Sequence, residues 1–313
     1  MESGRSRGLQ AHLAPPATVG ILYCGEMGAA FGKLLCNSGM RVITTCQGRS
    51  RATQEQARSS GIEILPRLED VVAQSHFVFS LVLPSAAVEV ARQYISCHQL
   101  RPRDSVFVEA NSIGLETLEQ IERMMAEQNI PLVDAAIHGV AHRLEDLGVL
   151  HISGPKAGSV EAICRGLFRV NCLGERIGSA TRMKLLMSAI AKGLATLLLE
   201  VGGLAERTDM LESFLESCQL FYPSLMTVIE RILPTYPRHA ARRVGEIRDI
   251  EQMGRASHLR LGMTHEAGEL IQLMANLDWD QVELRSPADI RMIIQSVAKA
   301  GLPENRSGAF SEA

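Results

Sequence analysis

The sequence predicts an α/β protein in two parts, a parallel-sheet domain followed by an all-helical domain. Short apolar runs alternate with amphipathic stretches through the first half, the rhythm of βαβ units. From about Gly178 the strand-like runs stop, and apolar residues recur at spacings of three and four, as on helices. A glycine-bearing turn directly follows the first apolar run, where parallel sheets receive phosphates. With 313 residues the chain can fill two modest cores.

In chain order, Thr18–Tyr23, Met40–Thr45, Phe77–Leu83 and Ser105–Ala110 read as buried strands, and Pro131–Asp134 and Val149–Ser153 as shorter ones. Helical segments are expected around Ala29–Ser38, Arg51–Ser59, Ala86–Ile95 and Glu116–Gln128. The second half opens with a long helix, Ser179 to about Glu206, rich in Ala, Leu and Gly and free of Pro. Helices at Ser224–Leu233, Arg238–Met253, His265–Leu277 and Pro287–Lys299 follow it. The domain limits are 17–177 and 178–301, between a flexible leader, 1–16, and a flexible tail, 302–313.

Composition narrows the function classes. A net charge of −3 and an aromatic content of 4% argue against a nucleic-acid surface, and the charge also against an anionic membrane. No apolar run is read as reaching the ~20 residues of a membrane span, and the leader lacks the apolar core of a secretory signal. The seven cysteines are odd in number and show no CxxC spacing, so buried free thiols in a reducing, cytoplasmic compartment are expected.

The glycine turn reads YCGEMGAAFG, with Gly25, Gly28 and Gly32 after the strand. Tyr23 stands where the first glycine of G-x-G-x-x-G would be. The position of the turn nevertheless marks a Rossmann dinucleotide site, with Tyr23, Gly25, Glu26, Met27 and Gly28 as cofactor contacts. About 20 residues on, NAD enzymes place an acid for the ribose hydroxyls. Here Thr45-Cys46-Gln47-Gly48-Arg49-Ser50 holds none. Arg49 with Ser50 suits a 2′-phosphate instead, which favours NADP(H) while leaving NAD(H) possible.

Five segments carry a family resemblance: VGILYCGEMGAAFG, LVLPSAAVEVA with Leu83-Pro84, VEANSI, VDAAIHG, and GERIGSATRMKLLMSAIAKG with Lys184. From Thr18 to about Gly301 the chain resembles the β-hydroxyacid dehydrogenase and 6-phosphogluconate dehydrogenase superfamily, and within it a phosphogluconate-dehydrogenase-like NAD(P)-binding branch. The GRS after the second strand and ARRVGEIRDIE (Ala241–Glu251) are similar to that branch. The resemblance implies that Leu83 and Pro84 border the nicotinamide and that VEANSI sits where members carry Asp-x-Ser-Thr. It also implies that Lys184 is the catalytic lysine. His138 replaces the family's loop serine and Ser188 its motif asparagine, which removes the usual hydroxyacids and phosphogluconate as obvious substrates.

Hydride transfer to a carbonyl leaves an alkoxide that needs a proton, and a buried lysine can supply it. Lys184, Ser188 and Lys192 are four apart and share a helix face. Asn111, His138, Ser188 and Lys192 are the candidate substrate contacts. His138 and His142 mimic an i,i+4 metal pair, but Gly139 and the preceding strand argue for a loop, and no metal is assigned. Arg242 and Arg243 lie on a helix face that could be solvated or reach a partner's site. The sequence thus points to an NADP(H)-dependent oxidoreductase acting on a small carboxylate-bearing hydroxy or oxo compound, as a homodimer. An imine reductase and a non-catalytic NADP(H)-binding protein are the alternatives.

Overall fold

The computed structural model describes residues 17–279 and 289–301, so the expected leader, 1–16, and tail, 302–313, lie outside the described residues. The chain divides into two compact units, Met1–Lys184 and Leu185–Ala313.

The first unit runs β1 (Thr18–Leu22), α1 (Glu26–Asn37), β2 (Arg41–Thr45), α2 (Arg51–Ser59), β3 (Glu63–Leu65), α3 (Leu68–Gln74), β4 (Phe77–Ser80) and α4 (Ala87–Ser96). It continues through β5 (Val106–Glu109), α5 (Leu115–Glu127), β6 (Leu132–His138), α6 (Leu144–Leu147), β7 (Val149–Ser153), α7 (Ala157–Cys164) and β8 (Arg169–Cys172). The strands form one sheet in the order β3-β2-β1-β4-β5-β6-β7-β8. Its direction of growth reverses between β1 and β4, whose carboxyl ends therefore frame the crevice where open α/β sheets bind ligands.

Alternation explains the unbroken apolar strands. Val19, Ile21, Phe79, Val106 and Val108 join the core on one face of the sheet. Leu22, Ile43, Val78 and Phe107 join the core on the other. With helices covering both faces, each strand needs apolar residues at every position.

One correction concerns direction. The sheet is not wholly parallel, because β7 pairs antiparallel with β6, placing Asp134 opposite Ser153 and Ala136 opposite His151. Other elements escaped the sequence. Strand β3 has only three residues, and β8, which ends the sheet, is largely exposed, so neither shows a buried apolar run. Helices α3 and α7, with seven and eight residues, are too short for a clear period. Strand β4 stops at Ser80, three residues before the expected end, and Leu83 is 71% exposed. All seven thiols are free, but only Cys24, Cys46, Cys97 and Cys164 are buried; Cys36 and Cys218 are partly exposed and Cys172 is exposed.

Helix α8 (Ser179–Arg207) carries the chain into the second unit, which adds α9 (Leu211–Phe221), α10 (Pro223–Ile232), α11 (Tyr236–Ala256), α12 (Gly262–Ala275) and α13 (Asp289–Ala300). Its core gathers Leu198, Leu199, Ile229, Tyr236, Ile271, Met274, Ile293 and Ile294. Gly202 lets α13 come close, since a Cβ there would sit 2.9 Å from Ile294 Cδ1. Helix α9 shows the helical period in Leu211, Phe214, Leu215 and Cys218, and lies between the expected helices Ser179–Glu206 and Ser224–Leu233, where none was expected.

By length and composition α8 could cross a membrane: its mean hydropathy reaches 1.6, contrary to the expectation that no run approaches a span. Between Lys184 and Glu206 only Lys192 and Glu200 are charged. Part of that apolarity, Ala195 with Leu198 and Leu199, is packed in the core of the second unit.

Candidate active site

At the end of β1 the chain turns sharply, with the Gly25 N–H donating to the Tyr23 carbonyl at 2.9 Å. Gly25 caps α1 with extended backbone and no side-chain bond. The space where its Cβ would point is open for 4 Å. An uncapped first turn beside open space is what a pyrophosphate needs. Glu26 and Met27 occupy that turn. Gly28 and Gly32 serve packing instead. A Cβ on Gly28 would lie 2.5 Å from the Tyr23 carbonyl oxygen, and one on Gly32 2.5 Å from Ile62 Cδ1.

The tip of β2 is equally defined. The Arg49 N–H donates to the Cys46 carbonyl at 3.0 Å, closing a turn in which Gly48 has φ +70°. That left-handed position explains the glycine. The Ser50 hydroxyl accepts from the Thr53 N–H at 3.2 Å and caps α2, so it is already engaged locally. The Arg49 guanidinium lies over the Tyr23 ring, 3.7 Å from its centroid. Tyr23 is buried, and its hydroxyl donates to Gln93 Oε1 at 3.4 Å.

A polar network joins the ends of β4 and β5. Asn111 accepts from the Val82 N–H through Oδ1, and its Nδ2 donates to Ser80 Oγ at 2.8 Å. Its backbone N–H donates to Glu109 Oε1 at 2.9 Å. Asn111 is thus occupied inside the protein, and Ser112 is the next residue on the chain. Burial pushes the Glu109 carboxyl up to about 8, against the pull of the Asn111 bonds and with the Asp134 charge adding to the rise. Glu109 Oε2 has no hydrogen-bond partner among the described residues. Pro84 begins a single 3-10 turn after Leu83.

Lys184 donates from Nζ to Ser112 Oγ at 2.6 Å. His138 ends β6, rather than lying in a loop, and its ring meets His151 of β7 edge-on with centroids 5.1 Å apart. Burial, then the Lys184 charge, then His151 lower His138 to about 4, so its imidazole is neutral at pH 7. Nδ1 of His138 has no hydrogen-bond partner among the described residues. His151 is lowered in the same way by burial and by Lys184, and its Nδ1 meets Asn171 Nδ2 at 3.1 Å.

The first turn of α8, one turn before Lys184, is fixed by buried Asp134. Its Oδ2 accepts from the Ala180 N–H at 2.9 Å, the Thr181 N–H at 3.1 Å and Ser153 Oγ at 2.8 Å. Oδ1 accepts from the Thr181 hydroxyl at 2.6 Å. A carboxylate at a helix N-terminus satisfies free donors and opposes the helix dipole favourably.

In the second unit, Lys192 is only 3% exposed and donates to Glu246 Oε2 at 2.6 Å and to Ser188 Oγ. Arg242 pairs with the other Glu246 oxygen at 3.1 Å. Burial alone would raise the Glu246 carboxyl, but Lys192, Arg242 and Arg243 outweigh it and hold it low. Arg243 is not simply solvated: it stacks on Tyr236 at 3.8 Å and donates to Thr235 Oγ1 at 2.7 Å.

Sequence reasoning therefore missed Ser112, His151, Asp134, Glu109 and Glu246. Glu109 and Ser112 lie in VEANSI, Asp134 in VDAAIHG and Glu246 in ARRVGEIRDIE, so only His151 falls outside the motifs. A separate cavity of about 400 Å³ in the first unit is lined by Glu119, Glu122, Arg176 and Arg182, none of them a predicted site residue.

Residues 18–164 match the family model of the NAD binding domain of 6-phosphogluconate dehydrogenase, and residues 205–274 match a domain of unknown function, DUF1932. An uncharacterized 28.5 kDa protein in the 7S RNA 5′ region of Methanothermus fervidus is 26% identical over 236 residues, covering 75% of this chain and 89% of its own. A conserved protein of unknown function, described as structurally similar to 3-hydroxyacid dehydrogenases, is 25% identical with a TM-score of 0.62, covering 90% and 97% of the two chains. The 3-hydroxyisobutyrate dehydrogenase of Mycobacterium tuberculosis, with L-serine, is 14% identical with a TM-score of 0.70, covering 90% and 99%. An imine reductase of Myxococcus stipitatus in complex with NADP+ is 17% identical with a TM-score of 0.57, covering 82% and 93%. The last two likenesses are of fold.

Proposed function

We propose that this chain, whose residues 18–164 match the family model of the NAD binding domain of 6-phosphogluconate dehydrogenase, is an NADP(H)-dependent oxidoreductase. Its substrate is a small carboxylate-bearing hydroxy or oxo compound, and Lys184 is the general acid and base. The observation that carries this reading is the Lys184–Ser112 bond of 2.6 Å beside a neutral His138 with an unpartnered Nδ1.

The bound nicotinamide supplies or accepts the hydride. The open backbone at Gly25, with the first-turn amides of Glu26 and Met27, holds the pyrophosphate, and Gly28 allows the helix its close approach. Arg49 takes the 2′-phosphate, next to the Ser50 cap, and Leu83 with Pro84 borders the nicotinamide. Lys184 protonates the developing alkoxide or removes the hydroxyl proton in the reverse direction. Ser112 holds the ammonium in place. His138 offers a nitrogen to a substrate oxygen without adding a second positive charge. Asn111 acts beneath them by fixing the β4 and β5 ends, and Ser188 and Lys192 are the substrate candidates of the helical unit, with Glu246 as a third member.

Helix α8 leaves Leu186, Ile190, Leu197 and Leu204 about half exposed or more, each four or seven residues from the next. A second copy covering them makes the protein a homodimer, and its seven free thiols suit the cytoplasm. Sedimentation at micromolar concentration tests the dimer, and a monomer alone contradicts it. The function is tested by following nicotinamide oxidation with a panel of small oxo acids and cyclic imines, using NADPH and NADH in turn. Reduction of an oxo acid with NADPH preferred is expected. Reduction of imines alone supports the imine reductase alternative. Tight NADPH binding with no turnover supports a non-catalytic protein.

A further inference from the structure

We propose that Tyr23 is a specificity-determining residue, a fixed aromatic platform that presets Arg49 for a 2′-phosphorylated adenosine. The inference rests on the reading of Arg49 as the 2′-phosphate contact, and adds why tyrosine occupies a place where dinucleotide turns carry glycine. Three constraints converge on one exposed side chain. The backbone at Arg49 is set by the Cys46–Arg49 turn with Gly48 at φ +70°. Ser50 immediately starts α2 as its cap. The guanidinium then rests 3.7 Å above the Tyr23 ring.

The platform itself cannot swing away, because Tyr23 is 7% exposed, belongs to the core and is tied to Gln93. Gln93 is in turn held by Glu89 at 3.2 Å. Arg49 forms no ion pair with a carboxylate among the described residues, so its charge is uncommitted. A guanidinium stacked on one face keeps its N–H edge and its outer face available. The edge suits a phosphate and the outer face an adenine ring. An unstacked arginine at a loop tip would lose rotamer freedom on binding, whereas a stacked one has lost it beforehand.

The test is a double-mutant cycle read by the affinities for NADPH, NADH and 2′,5′-ADP. Tyr23→Leu is expected to weaken NADPH and 2′,5′-ADP by about 3- to 30-fold, the range of a cation–π contact from exposed to desolvated. NADH should stay within about twofold, Tyr23→Phe, which keeps the ring but loses the Gln93 bond, should fall between wild type and Tyr23→Leu, and Tyr23→Leu should add nothing in an Arg49→Ala background. Unchanged NADPH affinity in Tyr23→Leu, with Arg49→Ala impaired, overturns the platform while leaving Arg49 as the phosphate contact. Equal weakening of NADH and NADPH also overturns it, assigning Tyr23 to the pyrophosphate turn instead. If Arg49→Ala leaves NADPH unchanged, the reading of Arg49 itself fails. Should Tyr23→Leu not fold, the side-chain resonances of Arg49 in the wild-type protein decide the matter. An upfield ring-current shift is expected, and random-coil positions overturn the proposal.

Discussion

Replacing Asp134 should loosen the helix that carries Lys184, and two substitutions should differ in a way that identifies the cause. Asp134→Ala removes the acceptor for four bonds of 2.6–3.1 Å at a fully buried position. Capping losses run to about 1–2 kcal/mol, and each buried donor left unsatisfied costs about 1–3 kcal/mol. The Ser153 hydroxyl can still reach the Ala180 N–H at 3.1 Å, so the Thr181 N–H is the donor most fully orphaned. A total near 3–4 kcal/mol is expected on that basis. Asp134→Asn is different. With its amide oxygen toward Ala180 and Thr181 and its NH2 toward the Thr181 hydroxyl, which can accept, every contact survives and only the charge is lost. That helix-terminus charge is worth about 1 kcal/mol. Urea unfolding followed by circular dichroism separates the two variants. Asp134→Ala within about 1 kcal/mol of wild type, or Asp134→Asn as damaging as Asp134→Ala, would refute the capping argument.

Glu109 predicts a pH effect of unusual sign. Its folded pKa near 8 lies above the unfolded value of 4.5, so it stabilises fully below about pH 4.5, and that contribution fades as pH rises toward 8. Glu109→Gln should flatten this slope, gaining about 3 kcal/mol relative to wild type between pH 4.5 and 7, and parallel profiles from pH-dependent urea melts would contradict it. At the Lys192–Glu246 ion pair, Lys192→Met should cost about 1–3 kcal/mol, since Glu246 loses its buried partner but keeps Arg242, and adding Glu246→Leu should recover part of it. Additive losses in denaturation would count against the pairing.

The sheet was largely legible because strands covered on both faces must be apolar throughout. At Thr18–Leu22 and Val106–Glu109 the structure shortens the expected strands by one and two residues, whereas Phe77–Ser80 stops three short. Polar edge strands such as Arg169–Cys172 carry no such signal, since neither face is buried. Strand β7 was found but not its direction, because a side-chain pattern of period two is the same parallel or antiparallel. The candidate site is read from local motifs at Gly25, Arg49 and Lys184. It was hidden wherever it depended on pairing distant segments. His151 meets His138 only through the β6–β7 register, and Glu246 meets Lys192 across 54 residues of chain. The Tyr23–Arg49 stack belongs to the same group: both residues were noticed, but their contact follows from the neighbouring positions of β1 and β2.

Proton transfer by Lys184 is the centre of the proposed mechanism, and the turnover number of Lys184→Ala measures it most directly. The variant should fold, bind NADPH with wild-type affinity and lose about 10²–10⁴-fold in turnover on whichever oxo acid the wild type reduces. Lys184→Arg should recover little, because a guanidinium does not release its proton near neutral pH. Near wild-type turnover in Lys184→Ala would remove the central residue from the chemistry and contradict the mechanism.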